Sequence, residues 1–199
     1  DPPHAASRPF DAERDGFVLS EGAAVLVLES LEFARARGAQ PLGEILASAA
    51  TADATHFTAP DPSGTQQARA LRVALAKAGL DASTVGYINA HAAGTPVGDP
   101  IEVRAYRSVF GDELPPLSST KSVTGHLLGA AGAAEAIWTI EALRRGLLPP
   151  TINYRTPDPD CLVDCTAGVA RAVTAEVAIS AAFGFGGHNT ILVFGRWDG

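Results

Sequence analysis

The stretch Leu117-Ser118-Ser119-Thr120-Lys121-Ser122-Val123-Thr124-Gly125-His126-Leu127-Leu128-Gly129-Ala130-Ala131-Gly132 constrains this chain more than any other. Its beginning, up to Ser119, reads as a strand tip, and a lysine and a tight Thr-Gly-His passage follow. Small residues then recur at spacings of three and four, at Gly125, Gly129, Gly132, Ala133 and Ala136. That pattern predicts one long helix over 125–145, with a smooth face that admits another backbone and hence a central, buried place. Arg144 and Arg145 complement its C-terminal dipole, and Gly146 stops it. Lys121 and His126 are then held on a strand-to-helix loop beside the positive end of a helix dipole. That field opposes protonation and keeps His126 neutral, able to donate one hydrogen bond. A neutral imidazole and an ammonium group facing one cavity make a place for developing negative charge.

The rest of the chain alternates strand and helix patterns. Residues 1–14 read as loop, and the short apolar run 23–28 as a strand buried on both faces. A helix over 30–37 stops at Gly38, and a strand over 43–49 leads into a long loop with Pro60 and Pro62. Residues 66–78 form an amphipathic helix with Ala70, Leu71, Ala74, Leu75 and Ala78 on one face, ended by Gly79. A strand over 85–89 puts His91 just past its carboxyl end. A helix over 101–110 follows, with Asp99 as N-cap and Pro100 at its first position. Prolines mark an irregular connection near 149–159, and two strands, 177–181 and 190–194, close the chain. The alternation predicts an α/β fold, a central mixed β-sheet with helices on both faces. The loops around His91, Lys121 and Phe185 each follow a strand. Open α/β sheets gather their sites beyond the carboxyl ends of strands, so the three loops are expected to meet.

Composition narrows the function. Apolar residues at 46% and charged residues at 19% argue for a soluble globular chain rather than a disordered one. A net charge of −7 gives no support to nucleic-acid binding. The longest apolar stretch, 127–140, is interrupted by Glu135 and too short to span a bilayer, and no secretory signal opens the chain. Cys161 and Cys165 do not make a disulfide framework, which suits a reducing, cytoplasmic setting, and without further ligands they make a poor metal site. The histidines lack a third metal ligand at usable spacing, so no metal is expected. His4, His56 and His188 read as structural or solvent-facing. The chain starts at Asp1 and contains no methionine, which favours a piece of a longer protein over a chain trimmed of its initiator. Taken singly, His91 and His126 read as core histidines and Lys121 as a surface lysine. Two histidines on glycine-bounded loops after strands, with a lysine beside them, point to catalysis instead.

Three of these loops are recognisable together. Asn89-Ala90-His91 with Gly94-Thr95-Pro96-Val97-Gly98-Asp99, the stretch from Ser119 to Gly132, and Phe183-Gly184-Phe185-Gly186-Gly187 resemble the signatures of the elongating β-ketoacyl-acyl carrier protein synthases. Arg14-Asp15-Gly16-Phe17-Val18 and Thr58-Ala59-Pro60 fit as well. These are the condensing enzymes of fatty acid and polyketide synthesis, with a thiolase-like fold of two similar halves. The resemblance covers the chain, 1–199, as the C-terminal half. It implies that His91 and His126 hydrogen-bond the malonyl thioester oxygen during decarboxylation. It implies that Lys121 orients that pair and sets its electrostatics, with Glu135 as its ion-pair partner. Continuous helical spacing does not show this last contact, because nine residues put Glu135 about half a turn out of phase with His126. Phe185 resembles the gating phenylalanine whose backbone N–H belongs to the oxyanion hole, and its flanking glycines suit a mobile gate. Thr58 and Thr95 match positions touching the phosphopantetheine arm, though each also reads as an ordinary turn hydroxyl.

The resemblance further implies no bound cofactor, since phosphopantetheine arrives on the acyl carrier protein with the acyl and malonyl thioesters. It implies a dimer when complete, and an N-terminal half that holds the nucleophilic cysteine. Neither Cys161 nor Cys165 matches that nucleophile. Ala93 departs from the family's usual threonine and removes one hydroxyl from the expected arm contacts. Two other readings stay open. One is a non-catalytic subunit like a chain-length factor, which the retained His91, Lys121 and His126 disfavour and Ala93 mildly favours. The other is a free-standing module that binds pantetheine arms, which the apolar seam expected on the small-residue helix disfavours.

Overall fold

Three parallel strands decide where the chain's polar loops can gather. The computed structural model describes residues 2–199. Its main sheet contains β1 (Glu44–Ala52), β2 (Val85–Asn89), β3 (Leu117–Ser118), β6 (Val177–Gly184) and β7 (His188–Gly195), in the order β1-β7-β6-β2-β3. Strands β6, β2 and β3 run parallel, while β7 is antiparallel to both β6 and β1. The carboxyl ends of the three parallel strands therefore open onto one edge of the sheet, and the loops after them carry His91, Lys121 and Phe185. A separate ribbon pairs β4 (Leu147–Leu148) with β5 (Arg171–Ala172).

The sheet is mixed and covered on both faces, as the sequence predicts. Side chains alternate across it. Ile88, Ile179, Ile191 and Val193 face a core completed by Leu71, Ala74 and Leu75 of α2 (Thr65–Ala78) and by Val103 and Tyr106 of α3 (Gly98–Phe110). Tyr87, Ala178 and Phe194 face the opposite core, completed by Ala136, Ala142 and Leu143 of α5 (Ala131–Arg145). Glycines in the left-handed region close α2 at Gly79 and α5 at Gly146. The short helix α1 (Leu31–Ala36) is capped by the Ser30 side chain, which accepts from the Phe33 amide. No helix among the described residues is long and apolar enough to cross a membrane.

Four expectations need correction. Residues 23–28 form no strand of this sheet, and Val25 and Val27 are 83% and 80% exposed. The run is apolar on both faces, but none of the described strands pairs with it. The helix expected over 125–145 is broken. A four-residue helix α4 (Lys121–Thr124) ends at Gly125, whose φ of 69° is left-handed, and α5 begins only at Ala131 after a 3-10 turn. Of the glycines on the small-residue face only Gly125 is closely approached by another backbone, at Val18, whereas a Cβ at Gly129 or Gly132 would meet nothing within 4 Å. Asp99 does not cap its helix from outside. It lies inside the first turn of α3 and accepts from the amides of Phe10, Gly94 and Thr95.

Candidate active site

A cavity of about 380 Å³ opens where the three loops meet, within the range of small-molecule sites. Its walls include His91, His126, Glu135, Thr58, Thr95 and Phe185. Strand β2 delivers His91. The Glu102 carboxylate holds that turn by accepting from the backbone amides of His91 and Ala92, each at 2.8 Å, and from the Tyr106 hydroxyl at 2.6 Å. Burial pushes the Glu102 carboxyl up to about 7, against these donors, which favour its ionised form. The Ser119 hydroxyl donates to the Ala92 carbonyl at 2.7 Å and ties the β3 loop to the His91 loop.

Lys121 opens α4 with a side chain only 1% exposed, and its ammonium pairs with the equally buried Glu135. Ser7 donates to the Lys121 carbonyl at 2.6 Å, which fixes the backbone from the other side. The break at 125–130 explains how Glu135 can line the same cavity as His126. Continuous helical phase would turn it away, but the chain is not continuous helix between them. Burial raises the Glu135 carboxyl, opposed by the Lys121 charge.

His126 is pinned by backbone. Its amide donates to the Val18 carbonyl at 2.7 Å, and its carbonyl accepts from Ser20 at 3.1 Å. Gly125 is required here, because a Cβ would come within 2.9 Å of the Val18 oxygen. The Leu128 amide donates to His126 Nδ1 at 3.1 Å, so the proton of the neutral ring resides on Nε2. Burial and the Lys121 charge hold the ring down at about 4, so it is neutral at physiological pH. The sequence reading of a neutral His126 agrees, but its stated cause does not: the nearby charge is Lys121, and no long helix starts at 125. His91 lies well below its ordinary value for the same two reasons and the neighbouring His126. The two rings are 5.3 Å apart at 76°, edge toward face. Two neutral imidazoles backed by a buried ammonium can stabilise an oxyanion placed between them.

The remaining expected residues also reach this cavity. Phe185 sits at the tip of the β6–β7 hairpin, 59% exposed, with its ring 6.4 Å from Phe17. Gly186 and Gly187 take φ values of 78° and 74° to make that tip. Thr95 accepts from the Gly98 amide at 2.9 Å through its hydroxyl, and Ala93 presents a methyl group to the same wall. Thr58 is exposed at the rim, where its amide and that of Ala59 donate to His56 Nδ1. His56 is thus a turn-forming residue, and His4 and His188 are exposed. Cys161 and Cys165 are buried free thiols, and no cluster of three metal-ligating side chains occurs among the described residues.

Sequence reasoning gave no site role to three contributors, although Arg14 and Phe17 belong to the motif over 14–18. Phe17 packs its ring 5.4 Å from His126. Arg14 is buried and donates to the carbonyls of Thr95 and Pro96 and to Asp158. Glu102 was legible in principle, since it is an acid on the buried stripe of α3 four residues before Tyr106.

Residues 42–155, more than half of the chain, match the family model of the beta-ketoacyl synthase C-terminal domain. The chain belongs to the beta-ketoacyl synthase family. Residues 2–34 match the model of that family's N-terminal domain. The 3-oxoacyl-[acyl-carrier-protein] synthase 2 of Synechocystis sp. is 49% identical over 200 residues, covering 100% of this chain and 48% of the relative. The synthase 2 of Staphylococcus aureus is 47% identical and covers 97% of the chain and 47% of its own length. The chain thus spans about half the length of these relatives. A beta-ketoacyl synthase from Burkholderia phymatum superposes with a TM-score of 0.94 at 47% identity, over 98% of this chain and 47% of that one. A type II polyketide ketosynthase, solved with its acyl carrier protein, superposes at 0.95 with 38% identity, over 98% of this chain and 48% of its own. This chain therefore has the fold of about half of a beta-ketoacyl synthase.

Proposed function

We propose that residues 1–199 are the C-terminal half of a condensing enzyme that elongates acyl chains by decarboxylative Claisen condensation. In the complete protein a cysteine of the N-terminal half takes an acyl group from its carrier. Malonyl-carrier protein then places its thioester oxygen between His91 and His126. Loss of carbon dioxide leaves the carbon–carbon bonding pair as an enolate, whose negative oxygen the two rings stabilise. The enolate carbon attacks the acyl thioester, a new carbon–carbon bond forms, and the cysteine thiolate leaves. Lys121, held by Glu135, keeps both imidazoles neutral and fixed. Phe185 gates the cavity, and Thr58 and Thr95 touch the phosphopantetheine arm beside Ala93. The arm arrives on the carrier, so no bound cofactor or metal is needed, and the reaction belongs to the cytoplasm. The complete enzyme is read as a dimer.

The observation that carries this reading is the 5.3 Å pairing of His91 with His126 in front of a buried Lys121. The test is carbon dioxide release from malonyl-carrier protein by the complete synthase. His91→Ala and His126→Ala should each lower it by about 10²–10³. Single variants within a few-fold of the parent would refute the assignment. A second reading draws on neighbours described as ketosynthases with a chain-length factor, one superposing at a TM-score of 0.94 and 40% identity. In that reading the chain is part of a non-catalytic partner subunit, and the residue at the nucleophile position in the N-terminal half decides between them.

A further inference from the structure

Gln67 is the polar exception on the buried face of α2. The other buried residues of that helix, Ala68, Ala70, Leu71, Ala74 and Leu75, are apolar. Gln67 is 2% exposed and lines the cavity, yet its Oε1 is buried without a hydrogen-bond partner. Its amide nitrogen donates to no group among the described residues either. The backbone beneath it is fixed. The Thr51 hydroxyl donates to the Gln66 carbonyl at 2.7 Å. Gly64, with a φ of 63°, lies so close to α3 that a Cβ there would come within 3.1 Å of the Ile101 carbonyl.

Polar neighbours that line the same cavity are already occupied. Asp99 accepts from the amides of Phe10, Gly94 and Thr95, and Glu102 from those of His91 and Ala92 and from the Tyr106 hydroxyl. Asn189 donates to Asp53 Oδ1 at 2.6 Å. Buried polar groups in native proteins are nearly always paired, so one left open on a cavity wall points to a ligand that pairs it. A primary carboxamide carries both donor and acceptor, and its terminal torsion turns readily to present either. Its matching partner is another amide, which holds an N–H and a C=O side by side.

We propose that Gln67 hydrogen-bonds an amide of the phosphopantetheine arm and so fixes how the arm lies in this cavity. The proposal rests on the condensing function above and adds a recognition residue to it. The arm carries secondary amides between its phosphate and its sulfur. Gln67 ends the cavity-lining segment that begins with Thr58 and Pro60, the rim at which the arm enters in that reading. Phe17, within the segment that matches the N-terminal domain model, packs on His126 instead, so the acyl chain held by that half meets the cavity there. Ala93 lines the cavity with a methyl group only, which leaves polar recognition of the arm to fewer side chains, Gln67 among them.

The test compares malonyl-loaded carrier protein, malonyl-pantetheine and S-ethyl malonyl thioester, which has no amide, on the complete synthase and its Gln67→Leu and Gln67→Met variants. KM for both amide-bearing substrates should rise by about fivefold or more, with the loss falling on KM rather than kcat. KM for S-ethyl malonyl thioester should stay within about twofold of the parent. Thermal midpoints should hold, because each variant removes an unpaired buried amide; a clear drop in both would overturn the proposal in favour of a purely structural role. Amide-bearing KM values within about twofold of the parent would also overturn it. So would an equal rise with the amide-free thioester, which would set Gln67 against the malonyl or acyl group. Calorimetric binding of a malonyl-pantetheine analogue that cannot decarboxylate separates this contact from the condensing function. Binding that depends on Gln67, in a parent that releases no carbon dioxide, would support the contact while refuting the condensation.

Discussion

Replacing Glu135 by glutamine tests the buried ion pair behind the two histidines. Lys121 and Glu135 are 1% and 2% exposed, so removing the negative partner leaves a buried ammonium without its direct ion-pair partner. Breaking such a pair costs about 3–5 kcal/mol, a large share of the roughly 5–15 kcal/mol that stabilises a typical domain. For a chain of this size the corresponding drop in thermal midpoint is about 6–20 °C. Replacing both partners together, as in Lys121→Met/Glu135→Leu, removes the charges along with their desolvation penalty and should recover most of that loss. The double variant should nevertheless release no carbon dioxide at the parent rate, because no ammonium remains behind His91 and His126. Chemical denaturation and calorimetry measure the first effect, and the decarboxylation assay the second. A loss below about 1 kcal/mol in Glu135→Gln, or a double variant as unstable as the sum of its singles, would refute the argument.

Three further outcomes follow from the same structure. Gly125→Ala should cost about 1–3 kcal/mol, because φ is +69° and the new methyl would come within 2.9 Å of the Val18 carbonyl; unchanged unfolding would contradict this. The folded protein holds His126 down at about 4, so between pH 6.5 and 4 the unfolded chain binds the proton first. Stability should therefore fall as pH drops through that window, and Asn in place of His126 should remove part of the slope. Burial pushes the Cys161 and Cys165 thiols up to about 12 and 11, so iodoacetamide at pH 8 should label neither until the protein unfolds.

What the sequence discloses and what it hides have separate physical causes. The amphipathic helix at 65–78 and the strand ending at Asn89 are legible because their apolar residues face a core within this chain. The cavity is legible because its residues sit on loops after parallel strands, where glycine and polar side chains break the apolar pattern. Residues 23–28 mislead because hydrophobicity reports that a segment wants cover, not where the cover is. Their match to the N-terminal domain model fits a segment that does not belong to this sheet. The break before α5 is hidden because Gly125, Gly129 and Ala130 suit a smooth helix as well as a turn. Tertiary contact with residues 18–20 selects the turn. Asp99 looks like a cap by local sequence, yet the amides it serves lie on two other segments, one of them 89 residues away. Contacts of that range leave no periodic trace.

The central claim is that one oxygen sits between His91 and His126. A crystal structure of the complete synthase with a malonyl thioester mimic that cannot decarboxylate tests it most directly. The account predicts the thioester oxygen at about 2.7–3.1 Å from a ring nitrogen of each histidine, His126 engaging through Nε2. An oxygen bound elsewhere in the cavity, with the two rings unengaged, would contradict it.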